Sequence, residues 1–363
     1  MSKLLNVQYE NKPCYDIVIE HDFSKLADKL LELGVENKKV CIISETNVAP
    51  IYLDEVEKKI GQVAKKVCHY VFDAGEANKN IDTICGMYDC LIKEQFDRKD
   101  ILVALGGGVV GDMTGFAAAT YLRGISFVQV PTSLLSQVDS SIGGKTGIDF
   151  KCYKNMVGAF KQPSLVYVNI NTLKSLPERE YLSGMGEIIK HGYIKNKAFL
   201  NWLSDNRDEI ISLNEDILEQ MVFESLKVKK NVVEKDPLEK GERAHLNFGH
   251  TLGHAIEKEM NFSLLHGECV ALGMVCALSI SAQKEYISKE EYEEGVKLIQ
   301  AFKLPVKINK IAGFTNENVV NATLLDKKME SGVIKFVLLS EVGNAVIDKT
   351  VTLDEMREAL GRI

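Results

Sequence analysis

The sequence predicts an α/β protein, an open sheet domain followed by a mainly helical one, and three observations predict it. Five continuous apolar runs of strand length recur through the first half of the chain, separated by helical, charge-patterned segments. A glycine turn follows the third run directly. After Pro177 the strand signals thin out, and amphipathic helices take over from Tyr181 to about Ile299.

In order, the runs are KVCIIS from Lys39, VCHYVF from Val67, DILVAL from Asp100, SFVQVP from Ser126 and SLVYVNI from Ser164. Their lack of polar alternation fits parallel strands covered on both faces. Between the second and third runs, IDTICGMYDCLIKEQF reads as a helix, so the unit has a βαβ pattern. These signals give residues 1–177 as an open, Rossmann-like α/β domain and 178–363 as a mainly helical one. Within the latter, CVALGMVCALSISA from Cys269 reads as a buried helix and is too short to span a bilayer. VIKFVLLSEVGNAVI from Val333 alternates and then turns at Gly343, a small hairpin.

Composition narrows the function classes. At 363 residues, 45% hydrophobic and 26% charged, the chain is long enough for two cores. A formal charge of −7 with no long basic stripe argues against nucleic acid or a membrane as partner, so an anionic ligand must be held by local lysines and arginines. The N-terminus shows no signal-peptide pattern, and the expected location is cytoplasmic. Eight cysteines occur without a CxxC pair, mostly inside apolar segments, which suits reduced core thiols rather than a disulfide framework.

Three stretches carry chemistry. In ILVALGGGVVGDMTGFAAATYLRG a strand runs into Gly106, Gly107 and Gly108 and then into a helix, where backbone N–H groups and the helix dipole can meet a pyrophosphate. Gly106, Gly108 and Gly111 fit GxGxxG, but the turn is not on the first strand and no acid stands in an obvious ribose position. A tight strand-to-helix connection is the competing reading. Asp112 can complement the dipole or touch a cofactor. VPTSLLSQVDSSIGGKTGIDF, followed by KNMVGAF, gathers hydroxyls, Asp139, Lys145, Lys154 and Asn155 behind a strand. Read as a loop, it is longer than structureless connections usually are, which points to function; a plain polar surface loop is the alternative. In GMGEIIKHGYI, Glu187 and Lys190 at i,i+3 allow a surface salt bridge. Apolar neighbours instead favour Glu187 as a metal ligand, and spacing also allows His191 beside it.

Four of the seven histidines lie between positions 245 and 266. His250 and His254 fall at i,i+4 on one helical face, where both could ligate a metal, although HTLGH lacks the glutamate of HExxH. His245 lies off that face and reads as structural.

Taken together, GGGVVGDMTGFAAATYLRG, VPTSLLSQVDSSIGGKTGIDF, KNMVGAF, GEIIKHG, LNFGHTLGHAIE and LHGE resemble, in order and spacing, the motifs of the 3-dehydroquinate synthase family of sugar phosphate cyclases. The resemblance covers nearly the whole chain. It implies a zinc ion, with cobalt as an alternative, held by Glu187, His250 and His266, with His254 one turn away, able to hydrogen-bond substrate or relay a proton. It implies NAD contacts at Glu45 and Asn47 in SETNV, at Glu76 and Lys79 in GEANK, and at Gly107, Gly108, Asp112, Thr132, Ser133, Lys145 and Lys154. Substrate contacts would fall on Asp139, Lys145, Lys154, Asn155, Lys190, Lys229, Arg243, Asn247, His254 and Lys335. Arg123 would reach a neighbouring subunit's site in a homodimer. Glu45 replaces an expected aspartate and Ser133 a common threonine; both keep the chemistry.

The activity so implied is that of a carbon–oxygen lyase of the shikimate pathway, on the route to aromatic amino acids. It converts 3-deoxy-D-arabino-heptulosonate 7-phosphate to 3-dehydroquinate and phosphate by transient oxidation with NAD, phosphate elimination, re-reduction and aldol closure. Its substrate carries a phosphate and a carboxylate, which explains the need for several cations in a chain of negative net charge. Two rival readings share the motifs: a cyclase acting on a sugar phosphate without the carboxylate, and a metal-dependent alcohol or glycerol dehydrogenase that releases NADH. Lys229 and Arg243, as the carboxylate cations the resemblance implies, favour the 3-dehydroquinate synthase activity over the first of these rivals.

Overall fold

The computed structural model describes residues 3–151, 153–309, 311, 313–329 and 334–363, and the side chains of 325–329 lie outside the description. The chain forms two compact units, Met1–Leu176 and Pro177–Ile363.

The first unit holds strands β1 (Lys3–Tyr9), β2 (Lys12–Glu20), β3 (Lys39–Glu45), β4 (Lys66–Phe72), β5 (Ile101–Gly106), β6 (Ser126–Pro131), β7 (Lys145–Phe150), β8 (Tyr153–Phe160) and β9 (Leu165–Asn169). Its helices are α1 (Leu26–Glu32), α2 (Ala49–Gly61), α3 (Ile81–Lys93) and α4 (Gly108–Thr120). Seven strands form one sheet in the order β1-β2-β9-β6-β5-β3-β4, parallel except for the β1–β2 pair. The five apolar runs are β3, β4, β5, β6 and β9; burial on both faces explains the continuity of β3, β5, β6 and β9, while β4, at the sheet edge, is half-buried. Val40 and Ile42 of β3 pack with Leu26, Leu30, Val56 and Ile60 of α1 and α2. The alternating Cys41 and Ile43 pack on the opposite face with Ile84, Met87 and Met113 of α3 and α4. Asn80 caps α3 by accepting from the Thr83 N–H at 3.1 Å.

Two features of this unit depart from the sequence expectation. The antiparallel β1–β2 edge escapes a search for continuous apolar runs because Lys3, Asn6 and Gln8 interrupt the apolar residues of β1, which is mostly half-buried or exposed; Asn6 donates across the pair to Asp16 at 2.9 Å. The stretch after β6 is not a long structureless loop either. It makes a wide helical turn at Ser136–Ser140 and then the antiparallel β7–β8 hairpin. Gly143 and Gly144, at φ 92° and 67°, supply the left-handed backbone that leads into β7. Hydroxyls, glycines and charges concealed the strands by replacing the apolar signal.

The second unit holds α5 (Glu178–Lys195), α6 (Lys197–Asp205), α7 (Arg207–Ile211), α8 (Glu215–Lys235), α9 (His250–Glu259), α10 (His266–Gln283), α11 (Lys289–Ala301), α12 (Asn316–Met329) and α13 (Leu353–Leu360). Strands β10 (Phe336–Glu341) and β11 (Asn344–Asp348) form the expected hairpin, although Val333, where the predicted segment begins, lies outside the described residues. Gly343 turns it at φ 96° and donates its N–H to the Tyr193 carbonyl of α5 at 2.9 Å. As expected, α10 is buried from Cys269 to Ser281. Among the described residues, no helix is long and apolar enough to cross a membrane.

Glycines bring three of these helices into backbone contact. A Cβ on Gly186 of α5 would lie 2.7 Å from the Gly267 carbonyl oxygen of α10, and one on Gly267 would overlap the Ser183 carbonyl. Between α9 and α10, a Cβ on Gly273 would overlap the carbonyl of Gly249. Hydrophobic side chains fill the space beyond these contacts.

Candidate functional site

The helix contacts bring three polar side chains of the second unit together. Glu187 lies next to Gly186, His250 next to Gly249, and His266 next to Gly267, so each sits beside a point of closest helix approach. His266 opens α10, whose start is fixed when Glu268 accepts from the Leu265 N–H at 2.8 Å. Arg179 of α5 holds that same Glu268 with two bonds of 2.8 and 2.7 Å. His250 opens α9 behind Gly249, whose φ of 79° suits glycine.

The Nε2 atoms of His250 and His266 lie 3.5 and 3.3 Å from Oε1 of Glu187. Both imidazoles are oriented from behind. His250 Nδ1 lies 3.2 Å from the Phe248 carbonyl, a group that only accepts, so Nδ1 carries the hydrogen and Nε2 the lone pair. His266 Nδ1 faces the Glu257 carboxylate at 3.9 Å. This is the arrangement that fixes metal-binding histidines. Glu187 is fully buried, with Oε2 in an ion pair with the Lys190 ammonium and Oε1 facing both imidazole Nε2 atoms. A carboxylate oxygen buried between two imidazole nitrogens suits a cation shared by all three. The donors are one carboxylate and two imidazoles, a set that suits zinc or cobalt and leaves a coordination position open.

Electrostatics reinforce the geometry. Burial works to raise the Glu187 carboxyl, but Lys190 and the two imidazoles hold it well below the usual range. Burial and Lys190 keep His250 neutral by lowering it well below its usual value. Burial also opposes charge on His266, yet the Glu187 and Glu257 carboxylates raise it to about 9.

His254 is exposed at the rim of this cluster, its ring 5.0 Å from that of His250 and 5.8 Å from that of His266. Glu257, one turn further along α9, is the residue that sequence reasoning missed. Its signal is the i,i+3 spacing from His254, on the histidine-bearing face. His191 has its Nδ1 2.8 Å from the Ser225 hydroxyl, and a ring nitrogen of it also lies within 4.8 Å of a Glu187 oxygen; His245 stands near Glu242 and Lys195 and belongs to no metal-type group among the described residues. Lys190, Lys229 and Arg243 are all buried cations. Arg243 donates to the Pro237 carbonyl at 2.5 Å and Asn247 to Glu239 at 3.2 Å, so both are held on the segment between α8 and α9. Lys335 is exposed just ahead of β10.

In the first unit the predicted cofactor residues gather along the carboxyl ends of the parallel strands. β5 ends at Gly106, and Gly107 and Gly108 start α4, whose first N–H groups have no intrahelical acceptor. The four glycines of this turn differ in role. A Cβ on Gly106 would press on Val110 at 2.5 Å and one on Gly111 on Gln129 at 2.7 Å, so these two serve packing. A Cβ on Gly107 or Gly108 would come no closer than 3.5 or 3.1 Å to the hydroxyls of Ser133 and Ser140, leaving an accessible backbone. Thr132 donates its N–H to the Gly106 carbonyl at 3.0 Å, and the Ser133 hydroxyl lies 2.9 Å from that of Ser136. Glu45 ends β3 and accepts from the Asn47 N–H at 2.7 Å.

Beside the glycine turn, Lys79 is the hub of a second group, donating to Asp112 at 2.7 Å and to Asn155 at 2.6 Å. Glu76 lies 4.0 Å from both Lys79 and Lys154. Burial disfavours the Lys79 charge, but Asp112 and Glu76 outweigh it and raise the ammonium above its usual range. For Asp112, burial wins over Lys79 and pushes the carboxyl up. Asp139 lies in the wide helical turn, while Lys145 is exposed at the start of β7. Arg123 is exposed after α4 with left-handed backbone, φ 68°. Among the described residues, no hydrogen bond or ion pair joins Arg123 or Lys335 to either group.

Comparison with known proteins agrees with this geometry. A family described as 3-dehydroquinate synthase N-terminal matches residues 69–183, and one described as 3-dehydroquinate synthase C-terminal matches residues 184–329. The 3-dehydroquinate synthase of Acetivibrio thermocellus is 42% identical over 361 residues, covering 98% of this chain and 99% of that protein. Among solved structures, 2-deoxy-scyllo-inosose synthase complexed with carbaglucose-6-phosphate, NAD+ and Co2+ superposes with a TM-score of 0.89 at 22% identity, covering 99% of each chain. The 2-epi-5-epi-valiolone synthase of Streptomyces hygroscopicus, with NAD+ and Zn2+ bound, gives a TM-score of 0.88 at 23% identity and 98% coverage of each chain. At that identity the two structures speak for the fold.

Proposed function

The chain belongs to the 3-dehydroquinate synthase family, and on that premise we propose how its own residues carry the conversion of 3-deoxy-D-arabino-heptulosonate 7-phosphate to 3-dehydroquinate and phosphate. Glu187, His250 and His266 hold a divalent zinc or cobalt ion. The observation that carries this reading is the buried Glu187 carboxylate whose Oε1 faces the Nε2 atoms of two oriented imidazoles. The N–H groups at Gly107 and Gly108 would hold NAD at the glycine turn. Glu45, Asn47, Glu76, Lys79, Asp112, Thr132, Ser133, Lys145 and Lys154 surround it. When bound, the metal supplies a Lewis acid for the substrate hydroxyls and NAD+ a reversible hydride acceptor.

The remaining work falls to side chains. Lys145, Lys154, Lys190, Lys229, Arg243 and Lys335 supply the positive charge that a phosphate and a carboxylate require, with Asp139, Asn155 and Asn247 orienting hydroxyls. His254, exposed beside the metal ligands, moves protons at its imidazole. Glu257 fixes the ring of His266 through Nδ1, and the Phe248 carbonyl does the same for His250. The protein works as a cytoplasmic homodimer, with Arg123 reaching the site of the neighbouring subunit. Its place in the shikimate pathway follows from the reaction.

The test is phosphate release from the heptulosonate phosphate with trace NAD+ and zinc present. Product accumulates far beyond the NAD+ supplied while absorbance from NADH stays flat. Growth of NADH in step with product would replace this reading with that of a metal-dependent dehydrogenase. Light scattering of the purified protein tests the dimer.

A further inference from the structure

A second ligand cluster lies in the first unit, away from the glycine turn and made of different atoms. Cys41 of β3 and Cys68 of β4 are register partners on adjacent parallel strands, so their side chains leave the same face of the sheet. Cys90 comes down on that face from α3, with its Sγ 3.9 Å from the His69 carbonyl. The three sulfurs lie within 4.8 Å of one another. Cys41 is buried, whereas Cys68 and Cys90 are partly exposed, and β4 is the edge strand of the sheet. The cluster therefore has a buried floor and an accessible side.

Thiols packed only as small hydrophobic groups have no reason to converge, because S–H groups are weak donors to one another. Around a zinc-sized ion at about 2.3 Å, three sulfurs stand roughly 4 Å apart, a spacing reached here with small side-chain rotations. No imidazole or carboxylate belongs to this group, and an all-sulfur set selects soft cations over the harder ions that suit a carboxylate–imidazole site. Three thiolates leave an anionic complex with a divalent ion. Lys39 and Lys66, two residues before Cys41 and Cys68 on the same strand faces, are themselves paired with Asp100 and Glu94.

We propose that Cys41, Cys68 and Cys90 form a three-thiolate site for a soft cation such as Cu+, Zn2+ or Cd2+, separate from the catalytic metal. Binding displaces the thiol protons, so affinity rises with pH. The experiment is a Cd2+ titration of the full-length, freshly reduced protein, followed by the ultraviolet charge-transfer band that thiolate ligands give and nitrogen–oxygen ligands do not. We expect a band that saturates at a single equivalent. Cys68→Ser and Cys90→Ser, both at partly exposed positions, should weaken it by tenfold or more, on the scale set by loss of supporting groups at metal sites. Cys14→Ser and Cys85→Ser, at exposed positions outside the cluster, should leave it unchanged. Absence of the band in the reduced wild type overturns the proposal. So does a band that survives both Cys68→Ser and Cys90→Ser in variants whose circular dichroism matches the wild type.

Discussion

The glycine turn of the first unit and the histidine cluster of the second are built in opposite ways for the ligands proposed above. The turn offers backbone: Gly107 and Gly108 are adjacent, they open one helix, and their role is written in a single stretch of sequence. The cluster offers side chains: Glu187, His250 and His266 come from three helices and meet only because glycine contacts set the helix spacing. A backbone site should therefore tolerate changes that leave its amides accessible, whereas a side-chain site should fail with any one member.

The largest effect tests that second statement. Replacing His250 with alanine should strip the metal and lower activity by roughly a thousandfold or more, because a Lewis acid contributes several kcal/mol. His254→Ala should retain about one metal ion per chain, as the three-ligand set of a catalytic zinc site stays whole, while losing most activity. Metal analysis of both purified variants decides it; a metal-free His254→Ala beside a metal-loaded His250→Ala would reverse the roles. Next in size, Arg243→Ala and Lys145→Ala should each cost roughly 2–5 kcal/mol in kcat/KM, because a bound anion loses its partner. Unchanged kinetics in both would remove them from the site.

A third pair separates packing glycines from ligand glycines within one turn. Gly107→Ala has room for its Cβ and should fold with an unchanged Tm while weakening NAD by about 1–2 kcal/mol, measured by calorimetry. Gly111→Ala would press on the buried Gln129 and should lower stability by about 1–3 kcal/mol. Identical behaviour of the two variants would erase the distinction.

The smallest effect concerns the frame of the second unit. Burial tends to raise the Asp348 carboxyl, but bonds from the Thr350 N–H and hydroxyl, the Tyr286 hydroxyl and the nearby Lys284 hold it below the usual range. A carboxyl lowered on folding contributes stability that is present above its unfolded value and lost as pH falls through the folded one. Asp348→Asn should thus cost about 1 kcal/mol near neutrality and flatten the acid limb of the stability profile below about pH 4. An unaltered acid limb would place the pH dependence elsewhere.

Sequence and structure agree most where physics is local. Continuous apolar runs marked β3, β5, β6 and β9 because both faces of those strands are covered, and marked β4 although it is a half-buried edge strand. β7 and β8 were illegible for the opposite reason: their residues are polar, small or functional, and no apolar periodicity survives. Glu187 and the histidines could be suspected from residue type, but the choice between His191 and the distant His266 as partner needed the helix contacts. Glu257 and the Cys41–Cys68–Cys90 group were hidden more deeply, since strand register and helix docking bring them into range and no short motif records either.

The backbone contacts at Gly267 and Gly273 reach beyond the site. Every other amino acid carries a Cβ, so at these two positions no replacement is conservative in shape: each brings the atom that overlaps the Ser183 or Gly249 carbonyl. In a saturation library scored separately for protein abundance and for growth, the two glycines should be empty in both columns. His250, one residue from Gly249, should be empty in the second column only. Such a map would tell apart the residues that hold the helices together from those that use the place where they meet.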